Sequence, residues 1–125
     1  MGTEKHILLV DEDAELAQAV AERLGREGYR VSKLTDSALA VPTAAREKPD
    51  LVIFDLALAR RTGHDGVRLL KAAVETRRIP VLILTGFADR ALRVWAAACP
   101  GDAFLTKPFE PEALLGTIER LLAAA

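Results

Sequence analysis

The sequence predicts an α/β domain in which five parallel strands alternate with helices. Three short aliphatic runs are typical of strands that are buried on both faces. The segments between these runs carry apolar residues at helical spacing. The length of 125 residues suits one domain, so we treat residues 1–125 as a single domain. Strands that alternate with helices form a parallel sheet with right-handed crossovers and helices on both faces.

Five segments are predicted to be strands. Three of them are strongly apolar, and two weaker ones are assigned from their position between helical segments. The strong strands are His6 to Val10, Leu51 to Phe54 and Val81 to Leu84, and the weaker ones are Tyr29 to Leu34 and Ala103 to Thr106.

The helices are predicted from apolar residues that recur on one face. The first helix has Leu16, Ala19, Val20 and Leu24 on such a face, and Gly28 follows as a stop. The third and last helices have the same spacing. A proline lies near the start of the second helix and another near the start of the last helix. The residues concerned are Val67, Leu70, Lys71 and Val74 in the third helix, Leu114, Leu115, Ile118, Leu121 and Leu122 in the last, and Pro42 and Pro111 near the starts of the second and last.

The composition excludes several classes of protein. There are 17 basic and 18 acidic residues, so no overall positive field points to nucleic acid or to an anionic membrane. One cysteine cannot form an intrachain disulfide. The aliphatic runs are far shorter than a membrane span, and the first residues contain no apolar signal core. We therefore expect a cytoplasmic protein.

Reactive side chains follow the predicted strands. Asp11 and Glu12 end the first strand, Asp55 the third, Thr85 the fourth and Lys107 the fifth. Each alone has an ordinary interpretation as a turn former or a solvated charge. Because the carboxyl ends of parallel strands lie at one edge of the sheet, where ligands bind, their joint occurrence there favours a functional site. Asp13, which comes next, is expected only to cap the first helix.

The residue types at this edge suit phosphoryl transfer. Asp11, Glu12 and Asp55 carry three negative charges and Lys107 carries one positive charge, so a divalent cation would balance the remainder. Hard oxygen ligands favour Mg²⁺ over zinc. A carboxylate can accept a phosphoryl group while a cation and a lysine balance the charge on the transferred oxygens. Asp55 is central among these residues, and it is therefore the candidate acceptor.

The ordered set of strand ends resembles the receiver domain of bacterial response regulators from Ile7 to Leu122. The matching segments are Ile7 to Asp13, Pro49 to Leu56, Pro80 to Gly86 and Phe104 to Phe109. The resemblance implies a flavodoxin-like (βα)5 fold, with a five-stranded parallel sheet in the order 2-1-3-4-5 and helices on both faces.

The resemblance also implies a role for each site residue. Asp55 would accept a phosphoryl group from a sensor histidine kinase or a phosphotransfer protein, and Thr85 and Lys107 would hold the phosphoryl oxygens. Phe104 would be the aromatic switch residue, coupled to Thr85. Mg²⁺ would be bound by Asp11, Glu12, Asp55 and the backbone carbonyl of Ala57, and the bond from Lys107 to Pro108 would be cis.

The output is expected on the face formed by the fourth helix, the fifth strand and the fifth helix. The fourth helix would include Trp95. A downstream partner would bind this face, and no nucleic acid or membrane is expected to bind the domain. The protein would act as a phosphorylation-dependent signalling switch, with only limited self-catalysed phosphorylation and dephosphorylation rather than the turnover of an enzyme.

Two departures from the family pattern bear on these expectations. The second acidic position is commonly aspartate, whereas this chain has Glu12, whose extra methylene changes the reach of the carboxylate. The loop at residues 59–66 is longer than is common.

Two alternative functions are consistent with parts of this pattern. A phosphohydrolase with an aspartate nucleophile would need a second aspartate two residues after Asp55, where Ala57 stands. A phosphorylation-independent binding module on the same fold is the remaining alternative. The presence of Asp55, Thr85 and Lys107 argues against it.

Overall fold

A parallel five-stranded sheet forms the centre of the fold. The computed structural model describes residues 4–56, 62–85 and 102–124. The strands lie in the order β2-β1-β3-β4-β5, so β2 and β5 are the edges, and all four pairings are parallel. This confirms the predicted sheet and its strand order. The strands are β1 His6–Asp11, β2 Arg30–Leu34, β3 Leu51–Leu56, β4 Val81–Thr85 and β5 Ala103–Thr106.

Helices follow the first three strands and the fifth. A 3₁₀ turn leads directly into the second helix, so that Pro42 falls in its first turn, where a missing N–H is tolerated. Among the described residues, no helix is both long and apolar enough to cross a membrane. The predicted fourth helix, with Trp95, lies in residues 86–101, outside the described residues. The helices are α1 Ala14–Arg26, α2 Ala40–Glu47, α3 Thr62–Ala72 and the C-terminal helix Pro111–Ala124, and the 3₁₀ turn is Ser37–Leu39.

The core has two layers because alternate strand residues point to opposite faces of the sheet. On one face, Leu8, Val52 and Phe54 pack with residues of α2 and α3. On the other face, Ile7 and Ile53 pack with α1 and the C-terminal helix. All of these residues are 0–1% exposed. The two covered faces leave the ends of the strands as the places where polar groups gather.

Helix α1 begins and ends as the sequence predicts. The Asp13 carboxylate accepts hydrogen bonds from the backbone N–H groups of Glu15, at 3.0 Å, and Leu16, at 3.2 Å. Asp13 is therefore the N-cap. Gly28 follows the helix with a φ of +95°, a conformation that favours glycine. Leu16 is 49% exposed although it lies on the predicted core face.

The prediction that Val74 lies on the buried face of α3 is wrong. The helix ends at Ala72, and Val74 is 74% exposed. The buried hydroxyl of Thr76 donates a 2.7 Å hydrogen bond to the Leu70 carbonyl. A helical partner for that carbonyl would be the N–H of Val74, so the hydroxyl replaces a helix hydrogen bond and the helix stops.

A lysine and an aspartate tie the end of α3 to the sheet. Lys71 Nζ donates to the Ile79 carbonyl and to Oδ2 of Asp102, both at 3.0 Å. The same Oδ2 accepts the N–H of Val81 at 2.7 Å. The link joins α3 to the starts of β4 and β5, at the edge of the sheet opposite the predicted site.

Candidate functional site

Strand pairing brings the predicted site residues together at the carboxyl ends of the strands. Asp11 and Asp55 are register partners on β1 and β3, and Thr85 ends β4, which pairs with β3 on the other side. Thr85 is the register partner of Thr106, and the N–H of Lys107 donates to the Thr85 carbonyl at 2.7 Å. The sheet thus fixes three of the five predicted strand-end side chains, whereas Glu12 and Lys107 directly follow β1 and β5.

The Asp55 carboxylate is paired with the Lys107 ammonium. Lys107 Nζ lies 2.5 Å from Oδ2 of Asp55. The side chain of Asp55 is 6% exposed and that of Lys107 is 29% exposed, so this pair is screened less by water than a surface pair. The lysine therefore already stands where it can balance negative charge added to Asp55.

Asp11 is the second buried carboxyl group of the site, with 5% exposure. Its Oδ1 accepts the N–H of Asp13 at 2.9 Å, whereas its Oδ2 is buried without a hydrogen-bond partner among the described residues. Burial and, to a smaller extent, the nearby Asp55 carboxylate together raise the pKa of Asp11 to about 6, against the lowering effects of the Asp13 N–H and Lys107. The fold thus holds two crowded carboxyl groups side by side.

This crowding fits a divalent cation. In the described part of the chain, no group of three or more His, Cys, Asp or Glu side chains is placed to hold a metal, so the site rests on the pair Asp11 and Asp55. Their hard oxygens and the unpaired Oδ2 of Asp11 suit Mg²⁺, which keeps several waters and needs few protein ligands. Glu12 follows Asp11 and is half-buried, and Ala57 lies outside the described residues.

Thr85 and Phe104 lie on neighbouring strands but are not register partners. Thr85 is 5% exposed, and its Oγ1 is buried with no hydrogen-bond partner in the described ranges. Phe104 pairs with Ile83 and is 38% exposed. A hydroxyl that lacks a partner is able to bond a new acceptor, and the aromatic ring beside this strand is turned partly to solvent.

An apolar groove opens beside Asp55, and the sequence pattern did not reveal it. Leu16 and Val20 line one side of the groove. In the sequence, their helical spacing is equally consistent with a buried stripe, so it did not indicate a groove. The exposure of Leu16 is explained by this position. The groove has a volume of about 480 Å³, and its other lining residues are Asp55, Lys107, Pro108 and Phe109. The bond between Lys107 and Pro108 is cis, as the resemblance implies.

Comparison with known proteins identifies the family. Residues 7–119 match the family model of the response regulator receiver domain. The chain is 33% identical over 117 residues to Protein PilH of Pseudomonas aeruginosa, which covers 94% of this chain and 97% of PilH. It spans only about half or less of several other curated relatives, including the transcriptional regulatory proteins TcrX and DctD.

Solved structures share the fold. The signal receiver domain of a signal transduction histidine kinase from Syntrophus aciditrophicus matches with a TM-score of 0.88 and 30% identity, covering 97% of this chain and 92% of that one. The receiver domain of the sensor histidine kinase PA1611 from P. aeruginosa, which has a magnesium ion in its active site cleft, matches with a TM-score of 0.87 and 27% identity, covering 97% and 99%. The chain therefore belongs to the response regulator receiver domain family, whose members are modules of two-component signalling.

Proposed function

We propose that residues 1–125 form a single receiver domain that is switched by phosphorylation of Asp55. The observation that carries this proposal is the buried Asp55 carboxylate, 2.5 Å from the Lys107 ammonium and beside Asp11 on the next strand. A carboxylate so placed can act as a nucleophile, and the cation beside it balances the charge that arrives.

The donor is a phosphohistidine of a sensor histidine kinase or a phosphotransfer protein. An Asp55 oxygen attacks the phosphorus, the bond from phosphorus to the imidazole nitrogen breaks, and the electron pair leaves with the imidazole. Lys107 and the Thr85 hydroxyl bind the phosphoryl oxygens. The groove lined by Leu16, Val20 and Phe109 supports this role, because it gives an apolar surface for the donor protein next to the acceptor.

Asp11 and Asp55 would hold Mg²⁺, and the Glu12 carboxylate and the Ala57 carbonyl would complete the site once the cation is bound. The cation, when bound, would supply positive charge to the carboxylates and to the phosphoryl oxygens. The related PA1611 receiver domain, with its magnesium ion, supports this assignment. Self-catalysed phosphorylation from small donors and slow self-catalysed hydrolysis are the only reactions that we assign to the domain, and we assign it to the cytoplasm, where kinases of this class present their phosphohistidine.

The output surface would include Phe104 on β5 and the C-terminal helix, together with the predicted fourth helix. Phosphorylation adds a charge of about −1.5 to −2 and new acceptor oxygens close to Thr85. If the Thr85 hydroxyl turns to bond them, space opens for the Phe104 ring, which is now 38% exposed. A downstream partner would then bind the altered face.

Intact-mass measurement after incubation with acetyl phosphate and Mg²⁺ tests the proposal. The wild-type chain should gain one phosphoryl group, and Asp55→Asn should gain none. Asp13→Asn is the matched control, because Asn also caps a helix and the aspartate it replaces lies at the same edge. A labile phosphoryl group on Asp55→Asn would refute the assignment. A wild-type chain that takes up none, from acetyl phosphate or from kinases, would favour the phosphorylation-independent binding module.

A further inference from the structure

A buried histidine joins three elements at the amino-terminal ends of the strands, opposite the end that carries Asp55. His6 begins β1, and its side chain is 7% exposed. Its Nε2 lies 2.7 Å from Oγ of Ser32 in β2 and 3.5 Å from Oε1 of Glu47, the last residue of α2. We call His6, Ser32 and Glu47 the His6 cluster. It connects β1 to the edge strand and to a helix end.

The backbone around the ring is held firmly. The N–H of His6 donates to Oδ2 of Asp50 at 2.8 Å, and the N–H of Asp50 donates to the His6 carbonyl at 2.7 Å. A separate hydrogen bond, from the N–H of Arg30 to the Lys5 carbonyl at 2.9 Å, joins β2 to the chain before β1. The two hydrogen bonds with Asp50 fix β1, so protonation of the ring would displace its neighbours Ser32 and Glu47, in β2 and α2, rather than β1.

Among the described residues, the ring has a hydrogen-bond partner at Nε2 but none at Nδ1. With its proton on Nε2, the neutral ring donates to Ser32 Oγ. Nδ1 is buried and has no hydrogen-bond partner in the described part of the chain. A second proton would place an N–H at Nδ1 without an acceptor, and an unpaired buried donor costs about 1–3 kcal/mol. The packing thus favours the neutral ring.

Charges around the ring act in both directions. Burial lowers the pKa of His6, and Arg30 lowers it further, whereas Glu47 and Asp50 raise it. These three residues are the charged groups that face the ring from β2, from α2 and from the segment before β3, and Arg46 lies 3.6 Å from Oε2 of Glu47. Because the folded state binds the proton less tightly than the unfolded chain, stability falls as the pH drops below 6.5 towards the folded pKa.

We propose that the His6 cluster is an acid-sensitive joint. While His6 is neutral, the cluster holds β2 and the end of α2 against β1. When His6 is protonated, β2 and the end of α2 separate locally from β1, whereas the central strands and the strand ends around Asp55 remain folded. The proposal does not depend on phosphorylation, so a chain that failed to take up phosphoryl groups would leave it standing.

NMR of the intact chain between pH 4.5 and 7.5 provides the direct test. The His6 ring signals should titrate below 6.5. The Arg30 amide, which bonds β2 to the chain before β1, should lose protection from hydrogen exchange in acid, after correction for intrinsic exchange. The Val52 amide, which bonds the Pro80 carbonyl at 3.0 Å, is the internal control and should keep its protection. Titration at or above 6.5, or equal losses at the two amides, would overturn the proposal.

Two charge variants separate electrostatic control from packing. Glu47→Gln removes one of the two charges that favour the imidazolium, so the His6 titration should move to lower pH. Arg30→Gln removes the opposing charge, so the titration should move to higher pH. Shifts in these opposite directions support the joint. The absence of both shifts would show that the ring does not sense its neighbours and would overturn the proposal.

His6→Gln tests the consequence for stability, because glutamine keeps a donor for Ser32 but does not titrate near pH 6. Below pH 6.5 the unfolding equilibrium constant of the wild type should rise by up to tenfold per pH unit, the limit for one proton, and this component should vanish in His6→Gln. The control is replacement of the other of the two histidines, His64→Gln, which should retain it. If His6→Gln does not fold, the wild-type titration alone decides the matter.

Discussion

Asp11 and Asp55 face each other as register partners on adjacent central strands, and only one of the two carboxyl groups has a lysine at bonding distance. Asp55 is paired with Lys107, while Asp11 relies on the N–H of Asp13. Burial is the main cause of the raised pKa of Asp11, and the Asp55 carboxylate beside it adds to the effect. The pairing with Lys107 leaves Asp55, the proposed phosphoryl acceptor, with its counter-charge in place before any phosphoryl group arrives.

Asp11→Asn should stabilise the metal-free protein at neutral pH. The pKa of Asp11 is raised from 3.8 to about 6 in the folded state, so the folded protein binds this proton more tightly than the unfolded chain. The resulting stability is complete below pH 3.8 and is lost as the pH rises through 6. The variant should lack this loss and gain about 1–3 kcal/mol at pH 7.

Urea denaturation in EDTA between pH 3.5 and 8 measures this effect. Asp36→Asn is the control, because it changes an N-cap aspartate outside the Asp11 and Asp55 pair and asparagine caps equally well. Equal pH dependence in Asp11→Asn and in the wild type would contradict the prediction. Mg²⁺ should stabilise the wild type by binding the folded state, and it should stabilise Asp11→Asn less.

Glu12→Gln should weaken Mg²⁺ binding and slow phosphorylation, whereas Glu12→Asp should preserve or improve both. The reason is that a carboxylate oxygen is a better ligand for Mg²⁺ than an amide oxygen, and the shorter aspartate matches the commoner family residue. Titration of backbone amide shifts with Mg²⁺ measures the affinity. An unchanged affinity in Glu12→Gln would show that the Glu12 carboxylate is not a direct ligand and would leave Asp11 and Asp55 as the carboxylate ligands.

Thr85→Ala should leave Asp55 phosphorylatable but weaken the response of Phe104. The variant lacks the buried hydroxyl that would bond the phosphoryl oxygens. Without that movement at position 85, phosphorylation would not change the space available to the Phe104 ring. Fluorine NMR of a fluorophenylalanine at position 104 reports the change in ring exposure. Thr85→Ser restores the hydroxyl and should restore the response. Equal spectral changes on phosphorylation in Thr85→Ala and the wild type would refute this route.

Gly66→Ala should destabilise the fold by about 1–3 kcal/mol. A Cβ at this position of α3 would lie 2.8 Å from Cζ of Phe54 and 3.3 Å from the Ser37 carbonyl, so the helix would have to move off the sheet. Gly116→Ala is the matched control, because its Cβ would meet nothing within 4 Å, and it should stabilise by about 0.5–1 kcal/mol. Equilibrium denaturation of both variants checks the contrast, and equal effects would contradict it.

The features that the sequence predicts correctly are those that local chemistry decides. Asp13 caps α1 because its carboxylate reaches the next amides, and Pro111 begins the C-terminal helix because the first turn needs no N–H from it. Strands β1, β3 and β4 are predicted because fully buried strands are almost continuously apolar, whereas the more exposed β2 and β5 are assigned from their position between helical segments. The order of the sheet came from the family resemblance and was then confirmed by the pairing.

The features that the sequence did not predict depend on contacts between distant segments. Val74 matches the helical period, but the Thr76 hydroxyl ends α3 before the period is completed. Leu16 matches a core stripe, but the stripe extends past the edge of the sheet into the groove beside Asp55. The His6 cluster joins residues from three elements, and no local pattern marks their meeting.

The edge strand β2 has a consequence for the behaviour of the protein at high concentration. Its free side has no strand partner among the described residues, and Arg30 and Lys33 are its two exposed positions. If the β2 strands of two molecules paired, these basic side chains would approach one another and repel. Such charges on an open edge oppose the growth of extended intermolecular sheets, so the sequence of β2 protects a crowded population of these molecules against aggregation.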